Sequence, residues 1–151
     1  MIRVLAVGKI KEGYIREGIA DYLARISKFD KIQVVETKES NKEGVESSFE
    51  ESKALLASIQ DKEYSIALDI EGKQMDSLQF AAMLKDVYVN KSSNMCFIIG
   101  GSNGLDREMV GNCDIAVSFS KMTFPHQLFR LVLLEQIYRA FKINNNQMYH
   151  K

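Results

Sequence analysis

The 151-residue sequence predicts one α/β domain, residues 1–151, built on an open, mainly parallel sheet with helices on both faces. Three observations predict it. Strand-like and helix-like periodicities alternate from end to end, the pattern of strands joined by helical crossovers. The third and fourth strand-like runs, Tyr64–Ile70 and Met95–Ile99, are apolar on both faces, as buried parallel strands are. The connections are short, and no linker, repeat or low-complexity stretch divides the chain.

Residues 2–7 form a short apolar run rich in β-branched side chains, the first strand. Residues 13–29 place Ile15, Ile19, Tyr22, Leu23 and Ile26 on one helical stripe. Ile32 to Val35 reads as the second strand, followed by a polar turn through Ser40, Asn41 and Lys42. Residues 44–60 form a more charged helix with Phe49, Leu56 and Ile59 expected on its inner face. The third strand, 64–70, ends at Glu71-Gly72-Lys73, and the helix over 78–88 offers Phe80, Ala81, Leu84 and Tyr88 as contacts. The fourth strand, 95–99, stops at Gly100-Gly101. A short helix covers 105–111, a fifth strand 115–119, and the longest and most apolar helix 125–142.

Composition excludes several classes. With 46% hydrophobic and 26% charged residues the chain is neither disordered nor membrane-like, and no apolar run approaches the ~20 residues of a bilayer span. The opening residues become polar too soon for a signal peptide. Cys96 and Cys113 lack metal-site spacing and read as reduced core thiols of a cytoplasmic protein, so no metal is expected. Twenty basic and twenty acidic residues cancel, so any nucleic-acid contact must rest on a local patch or an oligomer's combined surface.

Ligands of open parallel sheets bind outside the carboxyl ends of the strands. Three segments stand there: Leu68 to Lys73, Ile99 to Gly104, and Phe119 to Phe124. The glycine loop permits close backbone approach, but it is neither a P-loop nor a GxGxxG turn, and on glycines alone it is a strand-to-helix turn. Thr123 and Pro125 read as a helix start, with a capping hydroxyl and a proline in the first turn. His126, in that turn, is disfavoured as a cation by the helix dipole and should tend to be neutral. Arg130 projects from the same face one turn on; pairing with a surface carboxylate is as good a reading for it as a ligand contact. Glu135 and Arg139 read as a structural ion pair. The last helix is apolar nearly all round, which predicts burial by a second subunit. The ending Tyr149-His150-Lys151 places an aromatic and an imidazole where a frayed terminus is usual.

Taken together, Leu68-Asp69-Ile70 with Gly72-Lys73, Ile99 to Gly104, Ser118 to Gln127, Leu134 to Ala140, the opening Ala6-Val7-Gly8-Lys9 and the Tyr-His-Lys ending resemble one family along the whole chain. It is the bacterial large-subunit ribosomal RNA pseudouridine N3-methyltransferases, small members of the SPOUT superfamily. Met148 departs from the pattern, standing where proline or a small residue is expected. The resemblance implies a C-terminal trefoil knot, an obligate homodimer, and S-adenosylmethionine held bent within the knot by Leu68, Gly100, Phe119, Ser120, Lys121, Met122, Thr123 and Phe124. It implies methyl transfer to N3 of a pseudouridine. His126 is then the candidate for accepting the N3 proton or orienting the base, and Arg130 for gripping a phosphate or carbonyl. Tyr149 and His150 would close over the base, and Lys151 would touch RNA backbone. A small dimer without net charge has little surface for selecting one nucleotide from naked RNA, so the assembled ribosome is the expected substrate. The alternatives are a related methyltransferase acting on another RNA such as transfer RNA, a non-catalytic ribosome-binding factor, and a flavodoxin-like module, for which Gly8 to Gly13 is a poor phosphate loop.

Overall fold

The computed structural model describes residues 1–149, so the expectations for His150 and Lys151 lie outside the described residues. Strand and helix alternate strictly: β1 (Ile2–Val7), α1 (Gly13–Ile26), β2 (Ile32–Thr37), α2 (Gly44–Ala57), β3 (Tyr64–Gln74), α3 (Ser77–Asp86), β4 (Met95–Ile99), α4 (Arg107–Gly111), β5 (Ile115–Ser118) and α5 (His126–Asn144). A π-helical turn, Val87–Lys91, follows α3. The sheet runs β2-β1-β4-β3-β5, and every pairing in it is parallel. The carboxyl ends of β4, β3 and β5 are therefore neighbours. The loops that leave them must start side by side.

The two-residue period of the strands divides the interior. Ile2, Val4 and Ala6 of β1 join Ile66, Leu68, Met95, Phe97, Ile99 and Val117 in a core closed by α1, α3 and α5. Leu5 and Val7 join Ala67, Cys96 and Ile98 in a second core, which Leu55 of α2, Met109 of α4 and Leu105 just before it close on the other face. Helices on both faces, and strands apolar on both, are thus one fact. The stripe expected on α1 is the buried one, with Ile15, Ile19 and Ile26 inside. On α5 the fully buried face is Arg130, Leu133, Leu134, Ile137 and Ala140, while Leu128, Phe129, Leu131, Tyr138 and Phe141 are only partly covered.

Two elements differ from expectation. The inner face of α2 is not Phe49 and Leu56, which are exposed, but Ser47, Ser48, Glu51, Ser52 and Leu55. The physical reason is what α2 covers: loop backbone, whose groups need hydrogen-bond partners. Ser48 Oγ donates to the Gly104 carbonyl at 3.2 Å, and Ser52 Oγ accepts from the Asp106 N–H at 2.8 Å. Strand β3 also continues past Ile70 to Gln74. Leu68 and Lys73 both oppose Val117 of β5, so residues 69–72 bulge out and the pairing resumes behind them. Gly72 makes this possible, because a Cβ there would stand 2.7 Å from the backbone of Ala116 and Val117.

Candidate active site

The loops after β3, β4 and β5 wall one cleft of about 300 Å³. At the β3 wall, Leu68 leaves the sheet and the bulge begins. Asp69 is clamped there by Arg107, whose guanidinium reaches its two oxygens at 2.6 and 2.8 Å and Glu71 at 2.9 Å. The Arg107 guanidinium, through its hydrogen bonds first of all, holds the Asp69 carboxyl below the usual carboxylate range.

The β4 wall is the glycine turn. The Gly104 N–H closes onto the Gly101 carbonyl at 3.0 Å with Gly104 at φ +74°, a conformation favouring glycine. A Cβ on Gly100 would lie 2.8 Å from the Gly104 carbonyl carbon, and one on Gly101 would lie 2.5 Å from Glu51 Oε2. The loop is folded too tightly on its own backbone for a side chain at Gly100, while at Gly101 the Glu51 carboxylate fills the space.

The β5 wall is Ser118 to Phe124. Ser118 Oγ donates to the Ser120 carbonyl at 3.1 Å, and Ser120 Oγ accepts from the Met122 N–H at 2.9 Å. Phe119 is fixed edge-on between Phe80 and Phe129, with ring centroids 5.3 and 5.2 Å away. Thr123 does not cap α5, contrary to its expected role: helix α5 begins at His126, and the Pro125 carbonyl accepts the first helical bond from the Phe129 N–H at 2.9 Å. That leaves the Thr123 hydroxyl two residues upstream, on the cleft wall.

Of the residues expected at the cofactor, Leu68, Gly100, Phe119, Ser120, Met122, Thr123 and Phe124 line this cleft, and Lys121, exposed, does not. His126 also lines it. Burial pushes the His126 imidazole below its ordinary 6.5; Arg130 and Lys11 push the same way, against Glu39 and Glu51. The residues around His126 are fastened to the loop after β1. Gln127 Oε1 accepts from the Lys11 N–H at 2.9 Å, and Arg130 Nη2 donates to the carbonyls of Val7 and Gly8 at 3.2 and 3.1 Å. Arg130 Nη1 completes the clamp on Glu36 at 2.9 Å. Arg130 is thus an interior side chain, 1% exposed, set against β1 instead of the cleft.

Tyr149 is elsewhere. Its ring packs against Tyr138 at 4.9 Å and under the Arg139 guanidinium at 4.8 Å, and its hydroxyl meets Tyr22 and Glu135. Those partners on α5 lie nine to thirteen residues beyond His126, about 14–20 Å along the helix at ~1.5 Å per residue. The expected ion pair of Glu135 and Arg139 is present at 2.6 Å. Sequence reasoning gave no role to Asp69, Arg107 or Glu51. Asp69 stood within a quoted motif, but Glu51 gave no periodic signal.

An apolar cleft at the carboxyl edge of an all-parallel sheet, with one imidazole at its wall, is where α/β folds of this class bind small ligands. The chain belongs to the SPOUT methyltransferases: residues 1–150 match the family described as "Predicted SPOUT methyltransferase". It is 45% identical to the ribosomal RNA large subunit methyltransferase H of Clostridioides difficile (strain 630), over 99% of both chains. It is likewise 45% identical to the protein of that name from Carboxydothermus hydrogenoformans, again over 99% of each. Among solved structures, the fold is shared with a probable methyltransferase from Bordetella pertussis Tohama I at 12% identity and a TM-score of 0.58, covering 92% of this chain and 93% of that one. A probable methylase family protein from Haemophilus influenzae Rd KW20 superposes with a TM-score of 0.56 at 13% identity, over 99% of this chain and 70% of that one. The chain is a methyltransferase of this fold.

Proposed function

We propose that the protein transfers the methyl group of S-adenosylmethionine to N3 of a pseudouridine in large-subunit ribosomal RNA, on the assembled ribosome in the cytoplasm. The observation that carries this reading is the meeting of three loops from adjacent strands on one cleft with His126 at its wall. The full-length relatives named as large-subunit ribosomal RNA methyltransferases support the RNA class.

The cleft suits this cofactor. Leu68, Ile70, Phe119 and Phe129 offer apolar surface to an adenine and a thioether chain, and the tightly folded glycine turn brings backbone to the wall without side chains in the way. Bound there, the cofactor would supply an electrophilic methyl on its sulfonium, and N3, in gaining that methyl, would have to give up its proton. No dense charge is needed to hold the cofactor, so positioning carries much of the rate.

The chain's own part is the proton. Near neutral pH His126 is held uncharged by burial and so has a free lone pair for the N3 proton. Arg130 acts from behind, fixing the first turn of α5 to the end of β1 and thereby aiming His126. Tyr149, far along α5 from its own cleft, serves the partner's site in a homodimer whose interface covers the partly exposed apolar faces of α5. The knot implied by the family would hold the 119–124 loop against α5.

Methyl transfer from labelled S-adenosylmethionine to undermodified ribosomes, separated subunits and protein-free ribosomal RNA tests the reading, with nucleoside mass spectrometry locating the label. The expected result is label on N3 of pseudouridine in assembled ribosomes only. Label confined to transfer RNA, or cofactor binding with no label anywhere, overturns it.

A further inference from the structure

We propose that Arg107 is a positioning residue for the cofactor: it clasps Asp69 and Glu71 of the β3 bulge to the start of α4, and so fixes the β3 wall of the cleft against the β4 wall. The inference rests on the reading of that cleft as the S-adenosylmethionine site.

Residues 69–72 stand outside the sheet, because the pairing with β5 stops at Leu68 and resumes at Lys73. Asp69 and Ile70 of this stretch nevertheless line the cleft. Among the described residues, the side-chain hydrogen bonds that tie 69–72 to other elements all run to Arg107. Its Nη2 donates to Asp69 Oδ1 at 2.6 Å, and its Nη1 to Asp69 Oδ2 at 2.8 Å and to Glu71 Oε2 at 2.9 Å. The Glu71 N–H also donates to Asp69 Oδ2, at 3.3 Å. The bulge is therefore folded around the carboxylate that Arg107 grips.

Arg107 can hold the bulge because its own backbone is anchored elsewhere. It is the first residue of α4, and Asp106 before it caps that helix, accepting from the N–H groups of Glu108 and Met109 at 3.2 and 3.4 Å. The Asp106 N–H is in turn bound to Ser52 Oγ of α2 at 2.8 Å. Arg107 Nη2 also donates to the Leu105 carbonyl at 3.0 Å, and Leu105 lines the cleft just beyond the glycine turn. One guanidinium thus spans both walls.

Stability does not account for the arrangement. The Arg107 side chain is 55% exposed, and exposed pairs add little to folding. What the planar fork supplies is orientation, since two parallel bonds to one carboxylate leave it little freedom to turn. The Asp69 side chain beneath it is only 8% exposed. A wall fixed before the ligand arrives need not be ordered at the expense of binding.

The test is calorimetric binding of S-adenosylmethionine to the full-length wild type, Arg107→Ala, Arg107→Lys, Asp69→Asn and the Arg107→Ala/Asp69→Asn double variant. The Kd should rise by about fivefold or more in Arg107→Ala, and by less in Arg107→Lys, which keeps the charge without the fork. The double variant should bind no more weakly than the weaker single variant, because Arg107 acts chiefly through Asp69. A Kd for Arg107→Ala within about twofold of the wild type, or penalties that simply add in the double variant, overturns the proposal. With undermodified ribosomes, Arg107→Ala should raise the KM for S-adenosylmethionine and keep kcat at saturating cofactor. A fall in kcat with that KM unmoved makes Arg107 a contact for RNA and sinks the clasp. In the ligand-free protein, amide hydrogen exchange over 70–74 should be faster in Arg107→Ala, and equal exchange also overturns the proposal. That arm needs no cofactor, so its failure is separate from a failure of the cleft reading, which would show as a wild type that binds no S-adenosylmethionine.

Discussion

Replacing Arg130 by alanine should act first on stability. The guanidinium is 1% exposed and serves three acceptors: the carbonyls of Val7 and Gly8, and Glu36. Removing it leaves two carbonyls at the end of β1 in the interior without their donor, at about 1–3 kcal/mol each. The ion pair adds less, because the Glu36 side chain is 39% exposed and such pairs contribute at most about 1 kcal/mol. The expected loss is therefore about 2–7 kcal/mol, most of it from the two carbonyls. Against a typical domain stability of about 5–15 kcal/mol this is a large fraction. Urea unfolding followed by far-ultraviolet circular dichroism measures it, since the chain has no tryptophan; protein concentration is held fixed because the proposed dimer would add concentration-dependent stability. Arg130→Lys should recover only part of the loss, an ammonium having no planar fork to span the carbonyls and Glu36 together. A loss below about 1 kcal/mol in Arg130→Ala, with cofactor binding normal and methyl transfer abolished, would refute the clamp and restore a direct contact with RNA.

Thr123→Val should leave thermal stability within about 0.5 kcal/mol, since the hydroxyl caps nothing, while weakening S-adenosylmethionine binding in calorimetry; a loss near 1 kcal/mol would reinstate the cap. Gly72→Ala forces a Cβ to within 2.7 Å of the β5 backbone, so cofactor affinity should drop through displacement of the Asp69 rim, and unchanged affinity would show the bulge to be independent of the cleft. Mixing His126→Ala with Tyr149→Phe protein should restore activity through dimers that carry one intact composite site; no recovery after subunit exchange places Tyr149 in its own chain's site. Folding depresses the His126 pKa below 6.5, so the folded chain binds that proton less readily than the unfolded one. Stability from this group is full above about 6.5 and lost as pH falls through the folded value. The urea midpoint of His126→Gln should accordingly depend less on pH than that of the wild type between about pH 5 and 7, and equal slopes would contradict the burial of the imidazole.

The strands were legible because their limits are set by apolar residues: β1 and β4 begin and end where the sequence says. β3 was not, since its last residues pair through backbone across a bulge that only the position of β5 creates. Helix α1 showed its buried stripe, whereas α2 concealed its own, because periodicity searches for apolar contacts and α2 covers loop backbone with serines and Glu51. The rule that ligands sit at strand carboxyl ends found the three loops. It could not find that β4, β3 and β5 are neighbours, which is what brings them together. Arg130 and His126 looked equivalent, four residues apart on one helix. Their separation into a buried clamp and a cleft wall depends on the end of β1, remote in sequence.

Two cations around the site bear on how the protein meets its substrate. Arg107 is held by Asp69 and Glu71, and Arg130 by Glu36. Each is paired with a carboxylate, and the chain as a whole carries no net charge. A protein that found RNA by its field would leave such groups unpaired around the site, gaining affinity that salt then weakens. Apart from Lys121, which is exposed, the rim is built from paired charges and exposed apolar side chains, Ile70, Met122 and Phe124 among them. Surfaces of that kind discriminate by fit and by excluding water more than by long-range attraction. The proposed reading fits that build: a rigid, matching shape such as a folded ribosome would be selected over a loose RNA strand.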